Sequence, residues 1–214
     1  MDFNNIKEKA ITIYNNSAQK FGAHTFASVH WEDEQKALYR YHLINKHIAK
    51  ESGTSVLDIG CGNGGLFKYL NYSGFRGSYR GYDINETLIN AAKKIYSKHS
   101  DCFEVIDILN DEATHTYDYV VLSGLFNSNY GQDFKWICAF VKKMYDLSNK
   151  KVIFNAISTY TNFKEESMYY IDPLEISDFI IKNLSSEIIV EHGQLPYNFQ
   201  IIINKESAWE SLRL

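Results

Sequence analysis

Two prolines, three cysteines and no long apolar run narrow what this 214-residue chain can be. With so little proline there is no proline-rich linker, and no low-complexity tract or internal repeat interrupts the sequence. Cys61, Cys102 and Cys138 are scattered and odd in number, which excludes a disulfide framework and fits a reducing compartment. Neither Cys-x-x-Cys nor His-x-x-x-His spacing occurs, so no metal is expected. No stretch approaches the roughly 20 apolar residues of a membrane span. The opening Met-Asp-Phe-Asn-Asn has neither the basic nor the apolar region of a secretion signal. The expectation is a soluble, cytoplasmic protein with no membrane partner. Excess positive charge is also missing: 22 Lys and Arg stand against 26 Asp and Glu, a net charge of −4. No overall positive field draws in a nucleic acid, so none is expected as a partner.

What is present is a single-domain length, enough to bury a core without staples, and an excess of aromatics at 15%, with 16 tyrosines and 13 phenylalanines. Ile6 to Phe21 carries apolar residues at helical spacing, and Leu38, Tyr41, Ile44, Ile48 and Ala49 repeat the pattern up to a stop at Gly53. From Ser55 onward short apolar strands alternate with amphipathic helices. Strands are expected at 55–59, 78–82, 102–106, 117–122, 151–156, 187–190 and 199–203. Helices are expected at 65–72, 86–97 and 133–145, with Asp83 or Asn85 capping the second and Pro173 opening a further one. This order predicts an α/β fold, a doubly wound and mostly parallel seven-stranded sheet, in one domain. Residues 1–53 would form a helical cap and 54–204 the core.

The most informative segment is Val56-Leu57-Asp58-Ile59-Gly60-Cys61-Gly62-Asn63-Gly64-Gly65, a glycine loop between the first strand and its helix. Such a loop lets a ligand approach the backbone: either a dinucleotide, whose pyrophosphate seeks the helix N-terminus, or a nucleoside without phosphate. The spacing is not Gly-x-Gly-x-x-Gly, and Asp58 would repel a pyrophosphate while suiting an amine. Asp83 closes the second strand 23 residues beyond Gly60, where α/β nucleotide-binding folds place a carboxylate for the ribose hydroxyls. Asp107 follows the third strand at the same edge, where a short acid can accept a hydrogen bond from an adenine amino group. Three successive strand ends thus carry Asp58 with Gly60, then Asp83, then Asp107.

These segments, with Gly81-Tyr82-Asp83-Ile84-Asn85, Val105-Ile106-Asp107-Ile108 and the run from Tyr117 to Ser123-Gly124, resemble the ordered motifs of class I S-adenosylmethionine-dependent methyltransferases. The resemblance spans about residues 54–204. It implies a Rossmann-like methyltransferase fold ending in an antiparallel hairpin. Asp58 and the loop Gly60, Cys61, Gly62, Asn63 and Gly64 would hold the methionine part. Asp83 would bind the ribose with Ile84 beside the adenine, Asp107 and Ile108 would flank the base, and Ser123 and Gly124 would line the floor near the methyl group. The cofactor would be S-adenosyl-L-methionine and its product S-adenosyl-L-homocysteine. The stretches His30-Trp31-Glu32, Ser123-Gly124-Leu125-Phe126-Asn127 and Ser158-Thr159-Tyr160 are similar to those of small bacterial stand-alone methyltransferases of unassigned substrate.

Methyl transfer from a sulfonium is an in-line displacement in which the protein mainly aligns and excludes water. A hydroxyl or ammonium acceptor would still need help to lose its proton. His30, in the irregular segment before the second helix, is the preferred base, ahead of His192. Asn127 and Tyr160 complete the candidate catalytic set. Arg40 is placed to pair with the carboxylate of the cofactor. Trp31, Tyr130, Tyr169 and Tyr170 are candidate acceptor contacts, which would give the aromatic excess a purpose. The chain lacks the Asn/Asp-Pro-Pro-aromatic tetrad that base-methylating enzymes of this superfamily share. The expected partner is therefore a small-molecule acceptor, methylated at O or N by a monomer or homodimer. The alternatives are a nucleic-acid or protein methyltransferase, a nicotinamide dehydrogenase, and a non-catalytic nucleoside-binding partner domain.

Overall fold

The computed structural model describes residues 3–31, 33–112 and 115–206, which fall into two compact units of residues 1–112 and 113–214. Glu32, the acid of the His30-Trp31 stretch, lies outside the described residues.

The first unit opens with α1 (Asn4–Phe21), which ends at Gly22 with φ at 83°. A short 3-10 turn, Ala27–Val29, follows. Helix α2 (Glu34–Asn45) starts where the Asp33 side chain accepts hydrogen bonds from the Gln35 and Lys36 backbone. Gly53 does not stop this helix, contrary to the sequence expectation. The chain leaves it eight residues earlier, because the His47 and Ile48 amides bond three residues back and tighten the last turn. Then come β1 (Ser55–Ile59), α3 (Gly65–Tyr72), β2 (Ser78–Asp83), α4 (Glu86–Ile95) and β3 (Phe103–Val105). Both strand pairs are parallel, in the order β3-β2-β1. The register sets Asp58 beside Gly81 and Asp83 beside Val105. The helix expected to run to Ser97 ends at Ile95, and Ser97–Cys102 forms a kinked 3-10 segment that shortens the third strand.

The second unit runs β4 (Tyr117–Leu122), a 3-10 turn at Leu125–Asn127, α5 (Phe134–Leu147), β5 (Ser148–Ser158), β6 (Tyr170–Ile171), α6 (Pro173–Asn183), β7 (Ile188–His192) and β8 (Asn198–Asn204). Strand β5 pairs parallel with β4 and antiparallel with β8, which pairs antiparallel with β7. The closing hairpin therefore forms as expected. Eight strands occur among the described residues instead of seven, and the additional one is β6, two residues paired with Ile157 and Ser158. Just after it Asp172 is extended, as the residue before a proline tends to be, and its carboxylate caps α6. Among the described residues no helix is long and apolar enough to cross a membrane.

Much of the aromatic excess packs inside the units. In the first, the Phe67 ring meets Tyr79, Tyr96, His99 and Phe103 at centroid distances of 5.0–5.4 Å. In the second, Phe126 lies edge-on to Trp136, Phe140 and Phe154 at 5.6–5.9 Å. Edge-to-face packing lets large rings fill a core at native density.

Candidate functional site

In the first unit the loop after β1 folds back on the end of β2. The Gly60 and Cys61 amides both donate to the Tyr82 carbonyl, at 2.8 and 3.1 Å. Gly60, Gly62 and Gly64 all take positive φ, at 71°, 54° and 86°, which glycine adopts without strain. Two of them are also required by their neighbours. A Cβ at Gly62 would stand 2.8 Å from the Val29 side chain, and one at Gly64 would stand 2.6 Å from the Tyr96 ring.

Asp83 is pinned by two backbone donors: Gly62 N–H reaches one carboxylate oxygen and Asn85 N–H the other, each at 2.8 Å. Burial pushes its carboxyl above the usual range, against those hydrogen bonds. A carboxylate offers about four acceptor positions, so Asp83 keeps capacity for a ligand hydroxyl beside its backbone bonds. Asn85 caps α4 through Leu88 N–H, and its amide reaches back to α1, donating to Asn15 Oδ1 and the Ile11 carbonyl. The Asn63 amide does not point out of the loop. It donates to the Ala23 and Thr25 carbonyls and ties the loop to the segment after α1. Ile84 is half-buried and Ile108 fully buried.

Asp58 is 2% exposed and accepts a 2.7 Å hydrogen bond from Tyr79 Oη. Burial pushes its carboxyl up to about 7, despite that bond. Cys61 is buried, and its thiol is raised by desolvation and by the neighbouring acids. Asp107 meets Lys7 of α1 at 3.0 Å and also accepts from Leu109 N–H and the Asn110 amide. Burial works against its charge, but these hydrogen bonds and the lysine outweigh it and hold its carboxyl below the usual range.

Arg40 lies 4.5 Å over the Trp31 ring, and burial lowers its guanidinium to about 10. It is a buried stacking cation here, not one standing at an open edge. His30 takes φ at 62°, its Nε2 lies 2.7 Å from Ser17 Oγ, and its ring packs 4.9 Å from Tyr14. The structure thus sets His30 against α1, where two neighbours orient its ring.

In the second unit, Gly124 takes φ at 85° and its N–H donates to Asn155 Oδ1, whose amide donates to Ser123 Oγ. Asn127 is buried, with its backbone N–H on the Gly124 carbonyl and its own carbonyl receiving Tyr169 N–H. Tyr160 is 56% exposed and Tyr169 half-buried, whereas Tyr130 is 3% exposed and packs as core. Tyr170 accepts from Glu165 N–H through its hydroxyl, which fixes the loop after β5. Ser158, at the end of β5, lies 2.9 Å from His192 Nε2 at the end of β7 and accepts from Tyr160 N–H.

Sequence reasoning missed Tyr79, Lys7 and Asn155. For Asn155 a signal exists, because a polar residue inside the apolar run of a central strand marks a buried hydrogen-bonding role. For Tyr79 and Lys7 it does not, since a strand register and a helix docking decide their partners.

The sequence-family profile described as "Methyltransferase domain" matches residues 50–195. The chain is 28% identical over 160 residues to "Putative methyltransferase Rv1506c" of Mycobacterium tuberculosis, across 72% of this chain and 94% of that protein. Among solved structures it resembles the magnesium protoporphyrin IX methyltransferase of Synechocystis PCC 6803 with bound S-adenosylhomocysteine. That match has a TM-score of 0.63 and 15% identity, covering 92% of this chain and all of that one. The small RNA methyltransferase HEN1 also matches, at a TM-score of 0.62 and 18% identity, over 80% of this chain and 25% of that one.

Proposed function

We propose that this chain, which belongs to the methyltransferase domain family, transfers the methyl group of S-adenosyl-L-methionine to an oxygen or nitrogen of a small-molecule acceptor. Methyl transfer is the activity its family is named for, and its fold resembles those of solved methyltransferases. One observation carries the choice of donor: the pinned Asp83 carboxylate, locked to the glycine loop through Gly62 N–H. That pair sets acceptor oxygens beside the glycine-loop backbone at the end of a parallel strand, where nucleosides bind in α/β folds.

When bound, the donor supplies a methyl on a positively charged sulfur that leaves as a neutral thioether. The chain's own residues bind and exclude water. Asp83 would take the ribose hydroxyls, with Ile84 and Ile108 as apolar walls for the base and Asp107 at its edge. The loop Gly60–Gly64 and Asp58 would take the amino-acid end, where a ligand ammonium favours the ionised form of Asp58. The segment 1–53 acts as a cap on its own unit, tied down through Asn63, Asn85 and Asp107. Arg40 and Trp31 close that side, with His30 as a proton acceptor. Ser123, Gly124, Asn127, Tyr160, Tyr169 and Tyr170 form the acceptor group of residues, and Tyr130 packs as core behind them. The net charge of −4 supports a small acceptor over a nucleic-acid strand, and three free cysteines support the cytoplasm.

Calorimetric titration with S-adenosylmethionine tests this reading. Asp83→Asn keeps the side-chain shape but replaces one acceptor oxygen with a donor and removes the charge. Loss of charged hydrogen bonds of this kind weakens binding by about 10- to 100-fold. An unchanged affinity in the folded variant removes the donor assignment.

A further inference from the structure

We infer that two copies of this chain associate through β7, each adding its edge strand to the sheet of the other. This goes beyond the methyl-transfer reading and does not depend on it. Strand β7 ends the sheet order, with β8 on one side and no further strand on the other among the described residues. The ladder shows which backbone groups face outward. Asn204 N–H donates to the Glu187 carbonyl and Gly193 N–H to the Asn198 carbonyl, and the register between them runs without a shift. Residues of an antiparallel pair turn to their partner alternately. Ile189 and Glu191 therefore face β8, and the N–H and C=O groups of Ile188, Val190 and His192 point to the open edge.

Native sheets guard such an edge with lysine, proline, a bulge or an outstanding charge. Strand β7 carries no lysine, proline or bulge. Its one carboxylate, Glu191, is laid on the sheet, where it accepts from Gln200 Nε2 at 3.1 Å. Three β-branched apolar residues run consecutively instead, and Ile189 and Val190 are 46% and 41% exposed. Helix α6 packs on β7 and leaves Leu174 and Ile181 exposed, two turns apart on one face.

Charge then selects the register, and the register selects a second copy. Antiparallel pairing about a two-fold axis must match outward groups with outward groups. Over most of the strand this leaves the axis at Ile189, Val190 or Glu191. An axis at Ile189 sets Glu187 against Glu191 of the second copy, and an axis at Glu191 sets that carboxylate against itself. Like charges directly opposite destabilise a strand pair. An axis at Val190 opposes none: Val190 meets Val190, Ile188 meets His192 and Ile189 meets Glu191. In that register Val190 N–H donates to the Val190 carbonyl of the second copy and His192 N–H to its Ile188 carbonyl, each in both directions. Ile188 N–H keeps its own bond to the Ser186 carbonyl at 3.2 Å.

Light scattering and sedimentation of the full chain at about 100 μM test this. The parent should be a dimer. Val190→Lys sets each new ammonium against its own copy and should weaken dimerisation by about 100-fold or more. Ile189→Lys makes the same change one residue away but sets the ammonium against Glu191, so it should stay within about tenfold of the parent. Circular dichroism checks that both variants fold. Val190→Cys gives a reading without a new charge: mild oxidation should link the two copies, because hydrogen-bonded strand pairs hold their Cα atoms about 5.5 Å apart. The parent, with Cys61, Cys102 and Cys138, is the blank for that reaction. A parent that is not dimeric overturns the inference, as does folded Val190→Lys protein as dimeric as the parent. Ile189→Lys protein that dissociates as far as Val190→Lys overturns it too, and so does Val190→Cys protein that links no more than the parent.

Discussion

Replacing Asp58 with asparagine should stabilise the unliganded protein at neutral pH, although it removes a residue of the proposed site. Asp58 is almost fully enclosed at the end of β1 and accepts a hydrogen bond from the Tyr79 hydroxyl at 2.7 Å. Burial raises its carboxyl from 3.8 to about 7, with the Asp83 charge adding to the rise and the tyrosine bond opposing it. In the unfolded chain the same group titrates near its ordinary value. Between about pH 4 and pH 7 the native protein therefore holds a proton that the unfolded chain has lost, and stability falls as pH rises through that window. The deficit is absent below it and complete above it. Three pH units at 1.36 kcal/mol each set a ceiling of about 4 kcal/mol. Asparagine keeps the shape and an oxygen for Tyr79, removing the charge and turning the other oxygen into an amide donor.

Urea denaturation of parent and variant at about pH 4.5 and about pH 8 isolates this contribution, because the other titrating groups cancel in the difference. The gain should be about 1 kcal/mol at the acid condition and grow towards about 4 kcal/mol in base. A variant no more stable than the parent at about pH 8 refutes the reasoning. The proposed donor adds an opposite arm. An ammonium brought beside Asp58 favours its ionised form, so binding at about pH 6 should release a proton. Calorimetric enthalpies would then depend on the ionisation heat of the buffer for the parent and much less for Asp58→Asn, which should also bind more weakly.

Two further substitutions probe the frame that holds the loop. Gly64→Ala puts a Cβ 2.6 Å from the Tyr96 ring and 3.2 Å from Phe103 at a φ of 86°, so it should cost about 2 kcal/mol or more in urea unfolding. Asn85→Ala removes the cap of α4 and the bonds to Asn15 and Ile11, which together should cost about 2 kcal/mol. Asn85→Asp restores the cap but not the donor, and should recover about half of that loss.

The alternation of strands and helices was legible because each element carries its own period. β4 falls on Tyr117–Leu122 and α3 on Gly65–Tyr72, as their apolar patterns predict. What misled was local chemistry at element ends. Gly53 looks like a helix stop, yet α2 had already closed through three-residue turns. The two-residue β6 has no pattern of its own and forms where β5 runs past its apolar core to Ser158.

Site residues divide along the same line. Acids at successive strand ends can be placed from sequence, since a parallel sheet brings those ends to one edge. What each acid touches cannot, because its partners come from distant segments. Lys7 is 100 residues from Asp107, and the Tyr79 hydroxyl reaches Asp58 across a strand register. The aromatic count misleads for a related reason. A ring has the same composition in a core as in a pocket, and only packing separates Phe67 and Phe126, enclosed by other rings, from Tyr160, which faces solvent. The tyrosines that sequence assigned to the site therefore split, with Tyr130, a candidate acceptor contact, in the core and Tyr160, a candidate catalytic residue, at the exterior. Asn127 differs from all of these. Its position follows from the turn after β4, while its backbone bonds to Gly124 and Tyr169 come from the packing of that turn on the loop before β6.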